Sequence, residues 1–143
     1  MTNRLTLKKW IFSAVFSLVS VCASAEVVVI VNAKSPVSSS NALEIQQLYL
    51  GKTSDLSGTK MKPIDQIEGN EPRKIFYQKV IEKDAAQLNA YWSRLIFSGK
   101  GSPPKTYFDD SEVIEMVMEE KDVVGYIDAA SVTEGIKVIH TVK

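Results

Sequence analysis

The stretch Val27-Val28-Val29-Ile30-Val31-Asn32 limits the fold more than any other part of the chain. Its unbroken run of β-branched residues offers no polar face. A strand of this kind is buried on both sides, as in a sheet covered by helices. The residues that follow alternate between strand and helix signals. Asn41 caps a helix over Ala42 to Leu50, which Gly51 ends. "KTSDLSGTK" reads as a loop with turn chemistry. "MKPIDQI", residues 61 to 67, reads as a strand, and its early proline points to a partial edge position. A helix runs from Glu71 to about Glu82, with Ile75, Phe76, Lys79 and Val80 on one face and the lysine stem laid along it. Asp84 caps the next helix, whose apolar set is Leu88, Tyr91, Trp92, Leu95 and Ile96 at helical spacing. "SGKGSPPKTYF" breaks that helix. "DDSEVIEMVMEE" is a further helix with acidic residues at its start. "VVGYID" is a third strand, "AASVTE" a short helical turn ending at Gly135, and "IKVIHTV" the last strand. This alternation predicts an α/β sandwich with no internal repeat and no linker.

The N-terminus follows a different logic. Arg4, Lys8 and Lys9 precede an apolar run from Trp10 to Val21, and Ala23-Ser24-Ala25 follows. This is the pattern of a secretory signal peptide over residues 1–25, with cleavage after Ala25 and export to the periplasm. The run is short for a membrane span. An uncleaved anchor is one alternative. Lipidation at Cys22 is another, although Val21 stands where that chemistry needs a small residue. The exported chain, residues 26–143, is then a single domain without cysteine, so its fold rests on an apolar core alone. Loss of the three basic leader residues leaves it mildly acidic, and nothing basic argues for nucleic acid.

Catalytic signals are thin, and no enzyme activity is expected. Gly51-Lys52-Thr53 resembles the end of a phosphate-binding loop, but Gln46 occupies the position of the required glycine, and the motif follows a helix. "SGKGS" fails in the same way, with Arg94 at that position. His140 is alone on a terminal strand and reads as structural. Asp109, Asp110 and Glu112 stabilise a helix start, and Glu119 and Glu120 read as a solvated face. Tyr91 and Trp92 read as core packing. No metal or cofactor is expected.

Ligands of α/β sheets gather beyond the carboxyl ends of strands and at helix starts. Two loops fit. One holds Ser38, Ser39 and Ser40 after the first strand. The other is "EGNEPR" after the second, with Gly69, Asn70 and Arg73. In that second loop Glu68 and Glu71 repel an anion and Pro72 removes a donor. A structural helix start and an anion site both remain open there.

"NALEIQQLYLGKTSDLSGTKMKPID", "GNEPRKIF", "YWSRLIFSGKGSPP" and "VVGYID", in that order, resemble the phosphate-binding proteins of ABC transporters, and in particular short, single-lobe members. The resemblance covers almost all of residues 26–143. It implies one lobe of the type 2 periplasmic-binding-protein kind: an α/β/α sandwich with a mixed sheet. Full members close two lobes over phosphate, using an Asp-Gly-Ser-Gly-Thr turn and an upstream arginine. Here Glu68 and Gly69 match the first two of those residues, Asn70 stands for the serine, Glu71 and Pro72 replace the rest, and Gln66 stands where the arginine would be. Arg73 matches a further arginine. The implied function is non-catalytic binding of phosphate or a similar small anion through Ser38, Ser39, Ser40, Gly69, Asn70 and Arg73, with a membrane permease as a possible partner. The alternative is an accessory module that kept the lobe and lost the ligand, docking a protein through the "SGKGSPPKTYF" loop and the Tyr107-Phe108 pair.

Overall fold

The computed structural model describes residues 25–143. All but the last residue of the expected leader, Cys22 included, lies outside the described residues.

The run that opens the chain is strand β1 (Val27–Asn32), buried along its whole length. Its side chains split by the twofold period of a strand. Val27, Val29 and Val31 enter one core cluster, and Val28 and Ile30 enter the other. The remaining elements are helix α1 (Ala42–Tyr49), strands β2 (Asp55–Leu56), β3 (Thr59–Lys60) and β4 (Lys62–Gln66), helix α2 (Glu71–Phe76), helix α3 (Ala85–Phe97), strand β5 (Lys105–Tyr107), helix α4 (Asp110–Glu119), and strands β6 (Val123–Asp128) and β7 (Ile136–Val142). β2 and β3 form a separate hairpin, and the other five strands form one sheet in the order β5-β4-β6-β1-β7. β4 pairs parallel with both β5 and β6, whereas β1 pairs antiparallel with β6 and β7, so the sheet is mixed. α1 and α2 cover the face of Val27, Val29 and Val31. α4 covers the other through Val113 and Val117. Among the described residues, every strand of the sheet and both clusters fall within residues 27–142, so a chain starting at Glu26 holds both clusters.

Five local results differ from the sequence reading. The stretch expected to be a loop contains the β2–β3 hairpin, and the breaker after α3 contains β5. β4 is interior despite Pro63. The Lys62 N–H donates to Asp122 O at 2.6 Å, on the β6 side, so the missing N–H of the next residue faces the side where β5 has not yet begun. The helix expected from Glu71 to Glu82 changes at Tyr77 into a π-helical turn (Tyr77–Ile81) and ends at Glu82 in a left-handed conformation. That widening rotates the face. Lys79 is exposed, and Ile81 is buried beside Phe76 and Val80. Finally, α3 has the expected cap at Asp84, which Gln87 completes as a capping box, but buries none of its residues. Leu88 and Tyr91 only lean on the core.

Gly125 marks the closest approach across the sheet. A Cβ there would lie 2.6 Å from Val113 Cγ1 and 3.2 Å from Ile64 Cγ1. Gly125→Ala is expected to destabilise the fold by about 1–3 kcal/mol through overpacking, read as a lower urea midpoint with an unchanged slope.

Candidate functional site

β4 ends in two buried polar residues, Asp65 and Gln66. Four donors converge on the Asp65 carboxylate. Arg73 Nη1 donates to Oδ2 at 2.6 Å, the hydroxyls of Tyr77 and Tyr126 make short hydrogen bonds to it, and the Gln66 N–H donates to Oδ1 at 2.8 Å. Arg73 also donates to Gln66 O at 2.7 Å and lies 4.2 Å over the Tyr77 ring. The strongest anion cradle of the lobe is therefore filled by its own carboxylate. Burial, and then the adjacent Asp65 charge, push the Tyr77 and Tyr126 hydroxyls far above the usual phenol range. Tyr49, buried beneath them, is raised for the same two reasons. Burial works against the Arg73 charge, and Asp65 with the two tyrosines outweighs it, so the guanidinium is held above its ordinary value.

Arg73 is fixed but not exhausted. Among the described residues its Nη2 and Nε make no hydrogen bond, and no buried side-chain donor is left unpaired, so these groups reach solvent. Arg73 lines a groove of about 650 Å3 between α2, the π-turn and α3. Lys74, Lys83, Asn89, Ser93 and Thr106 add cations and hydrogen-bonding groups to its wall, and Asp65 and Glu68 are its carboxylates. With Asp65 and Arg73 neutralising each other, and Lys74 paired with Glu71 at 3.6 Å, Lys83 is left facing Glu68.

Asn70 points elsewhere. It occupies the N-cap position of α2, but its side chain makes no cap hydrogen bond. Its Nδ2 instead donates to Gln66 Oε1 at 3.0 Å and to Phe108 O at 2.8 Å. Together with Gln66 it lines a shallow basin rimmed by Glu71, Asp109, Asp110 and Asp128. These carboxylates have structural work. Asp109 caps α4, Asp128 caps the short turn Ala129–Ser131, and Asp110 accepts from Gln66 Nε2, Asp128 N and Ser131 Oγ. Such a basin repels anions. Among the described residues no group of three or more His, Cys, Asp or Glu side chains has the geometry to hold a metal ion.

The structure brings Gly69 and Arg73 to one groove and places Asn70 in the neighbouring basin. Gly69, at φ +96, makes the left-handed turn from β4 into α2. Ser38, Ser39 and Ser40 do not join them. Ser40 N donates to Ile139 O at 3.0 Å and its hydroxyl to Glu44 at 2.8 Å, while Ser39 O accepts from Ser57 at 2.9 Å. The serines thus sit beside β7, three strands from β4 in the sheet, or about 14 Å at the usual strand spacing. The sequence reading missed Asp65, Tyr77, Lys83 and Tyr126. The available signal was an Asp-Gln pair at the carboxyl end of a strand.

No protein-family model matches the chain, and no curated protein matches it. Solved structures do. An ABC-type phosphate transport receptor from Vibrio cholerae superposes with a TM-score of 0.64 at 16% identity, covering 81% of this chain and 46% of its own. A phosphate ABC transporter substrate-binding protein from Clostridium perfringens, with bound phosphate, gives 0.60 at 14%, covering 80% and 45%. PstS from Borrelia burgdorferi gives 0.59 at 12%, covering 80% and 47%. The chain thus spans less than half the length of the receptors it resembles. At these identities the likeness shows the fold, which is the α/β lobe of the periplasmic-binding-protein kind.

Proposed function

We propose that the chain is an exported, single-lobe, non-catalytic binding protein that holds phosphate or a similar small oxyanion at Arg73. The observation that carries this reading is the state of that guanidinium. It is locked by Asp65, backed by the Tyr77 ring, keeps N–H groups without a protein partner among the described residues, and lines a groove together with Lys83. A fixed planar donor of this kind suits an oxyanion. The fold supports it, since the similar structures are described as phosphate transport receptors. Export to the periplasm follows from the leader pattern. A transporter permease is the partner that the receptor likeness brings forward. An open lobe leaves its ligand in solvent, and a partner that covers the groove would strengthen every polar contact there.

A protein-docking module is the second reading, and one observation favours it. Phe97 is 96% exposed at the end of α3, with Ile96 and Phe108 also open. A stable oligomer without any response to anions would select it.

Calorimetric titration of Glu26–Lys143 with phosphate, against sulfate, tests the proposal. Saturable heat is expected. Arg73→Lys, which keeps the charge beside Asp65 but loses the planar donor fork, should weaken binding about tenfold or more. Lys83→Gln should weaken it less. No heat and no rise in melting temperature at millimolar phosphate would sink the reading.

A further inference from the structure

The Arg73 groove is too large for a tetrahedral oxyanion alone. Its volume of about 650 Å3 lies in the range of pockets that take organic ligands, roughly 300–1,000 Å3. Opposite the cationic groups its wall is apolar, made by Leu88, Trp92 and Ile96 of α3 with Pro103 and Pro104. An inorganic ion would leave that wall facing water.

A second groove, of about 590 Å3, adjoins the first and shares Trp92 and Pro104 with it. It exists because β5 is short. β5 pairs only with Ile64–Gln66, so on that edge β4 is unpaired at Lys62 and Pro63. Tyr49, Met61, Pro63, Tyr107 and Met116 line it. Of its charged groups, Lys62 is paired with Glu120 and Asp122, and Lys105 lies over the Tyr107 ring. Lys60 is exposed. At the other end Lys74 is paired with Glu71 and Lys83 lies 5.6 Å over the Tyr91 ring, so the charge that is fixed in place is that of Arg73, and apolar surface continues past Trp92.

We propose that the two grooves form one trench for an amphiphilic organic phosphate. The phosphate head sits on Arg73 and Lys83, and the apolar body runs across Trp92 and Pro104 towards Met116. This rests on the oxyanion reading of Arg73 and adds the class of ligand. The fixed guanidinium sets the orientation, because the reverse placement would put the head beside Glu120, with Lys62 already paired, and the tail against Arg73.

Trp92 is the sole tryptophan of Glu26–Lys143, so its fluorescence reports the junction of the two grooves. Butyl, hexyl and octyl phosphate, each below its self-association concentration, are titrated beside inorganic phosphate and octanol. Affinity should rise about fourfold per added methylene while the chain is being buried, with a blue shift of Trp92 emission. Arg73→Lys should weaken all the phosphates by a similar factor. Met116→Glu should reduce the gain of the octyl ester and spare the butyl ester. Equal affinity for inorganic phosphate and every ester would overturn the trench and leave the oxyanion site standing. A length dependence matched by octanol and indifferent to Arg73→Lys would also overturn it, as adsorption to apolar surface. Binding of none of the phosphates would overturn both readings.

Discussion

Stability is expected to fall steeply above pH 10. Tyr49, Tyr77 and Tyr126 all have hydroxyls raised above the usual phenol value, first by burial and then by the Asp65 charge. In the unfolded chain a tyrosine ionises near pH 10. Above that pH the unfolded state releases three protons that the folded state keeps. The sign follows directly. With fewer protons bound in the unfolded state, the free energy of unfolding decreases as pH rises. The stabilising contribution is complete below the unfolded value and is lost above it. Each tyrosine contributes a slope of about 1.4 kcal/mol per pH unit, so the three together give about 4 kcal/mol per unit. This is a large share of a typical stability of 5–15 kcal/mol. Urea midpoints measured between pH 8 and 11 would show it, and phenolate absorbance should rise for these three residues together with unfolding. A midpoint that holds steady to pH 11 would refute the assignment. So would full phenolate absorbance while the chain remains folded.

The tyrosine cluster also shows what a linear pattern conveys and what it hides. β1, α1, α4, β6 and β7 were legible because their signals are local. An unbroken β-branched run marks β1, and Asn41 and Asp109 cap α1 and α4 with hydrogen bonds only three residues long. β5 was not legible. Three residues pairing in parallel with a strand about forty positions earlier carry no local signature. The π-turn was hidden for another reason: one widened turn shifts every later residue around the helix, and the residues involved, Tyr77 to Ile81, are ordinary helix formers by composition. The site followed the same division. Gly69 and Arg73, which line one groove, were singled out through their place after β4. Asp65 was not, because its partner Tyr126 lies 61 residues away. The serine loop was placed by a rule for parallel strands. β1 runs antiparallel to its neighbour β6, which is parallel to β4, so the carboxyl ends of β1 and β4 lie at opposite ends of the sheet.

Asp65→Ala is expected to cost about 3–5 kcal/mol, the range for removing one partner of a buried ion pair. Asp65 is 3% exposed, and the Arg73 side chain 16%. Without the carboxylate, the guanidinium keeps only Gln66 O and the Tyr77 ring as partners, and both tyrosine hydroxyls lose their acceptor. Asp65→Asn should cost less, since the amide oxygen still accepts a hydrogen bond in the same space. The origin of the loss can be separated from simple cavity formation. If the uncompensated guanidinium dominates, adding Arg73→Met to Asp65→Ala should recover part of the stability, because a buried charge is replaced by an apolar chain of similar length. If the cavity dominates, the second substitution should lower stability further. Chemical denaturation of the two single variants and the double variant closes the cycle, and residues in contact should show coupling of 0.5–3 kcal/mol. A loss below about 1 kcal/mol for Asp65→Ala would mean that Arg73 escapes into the groove and is solvated there. In that event Arg73 would no longer be a fixed donor, and oxyanion binding should weaken in the same variant. Titrating Asp65→Ala with phosphate therefore links the stability of the buried pair to the function that depends on it.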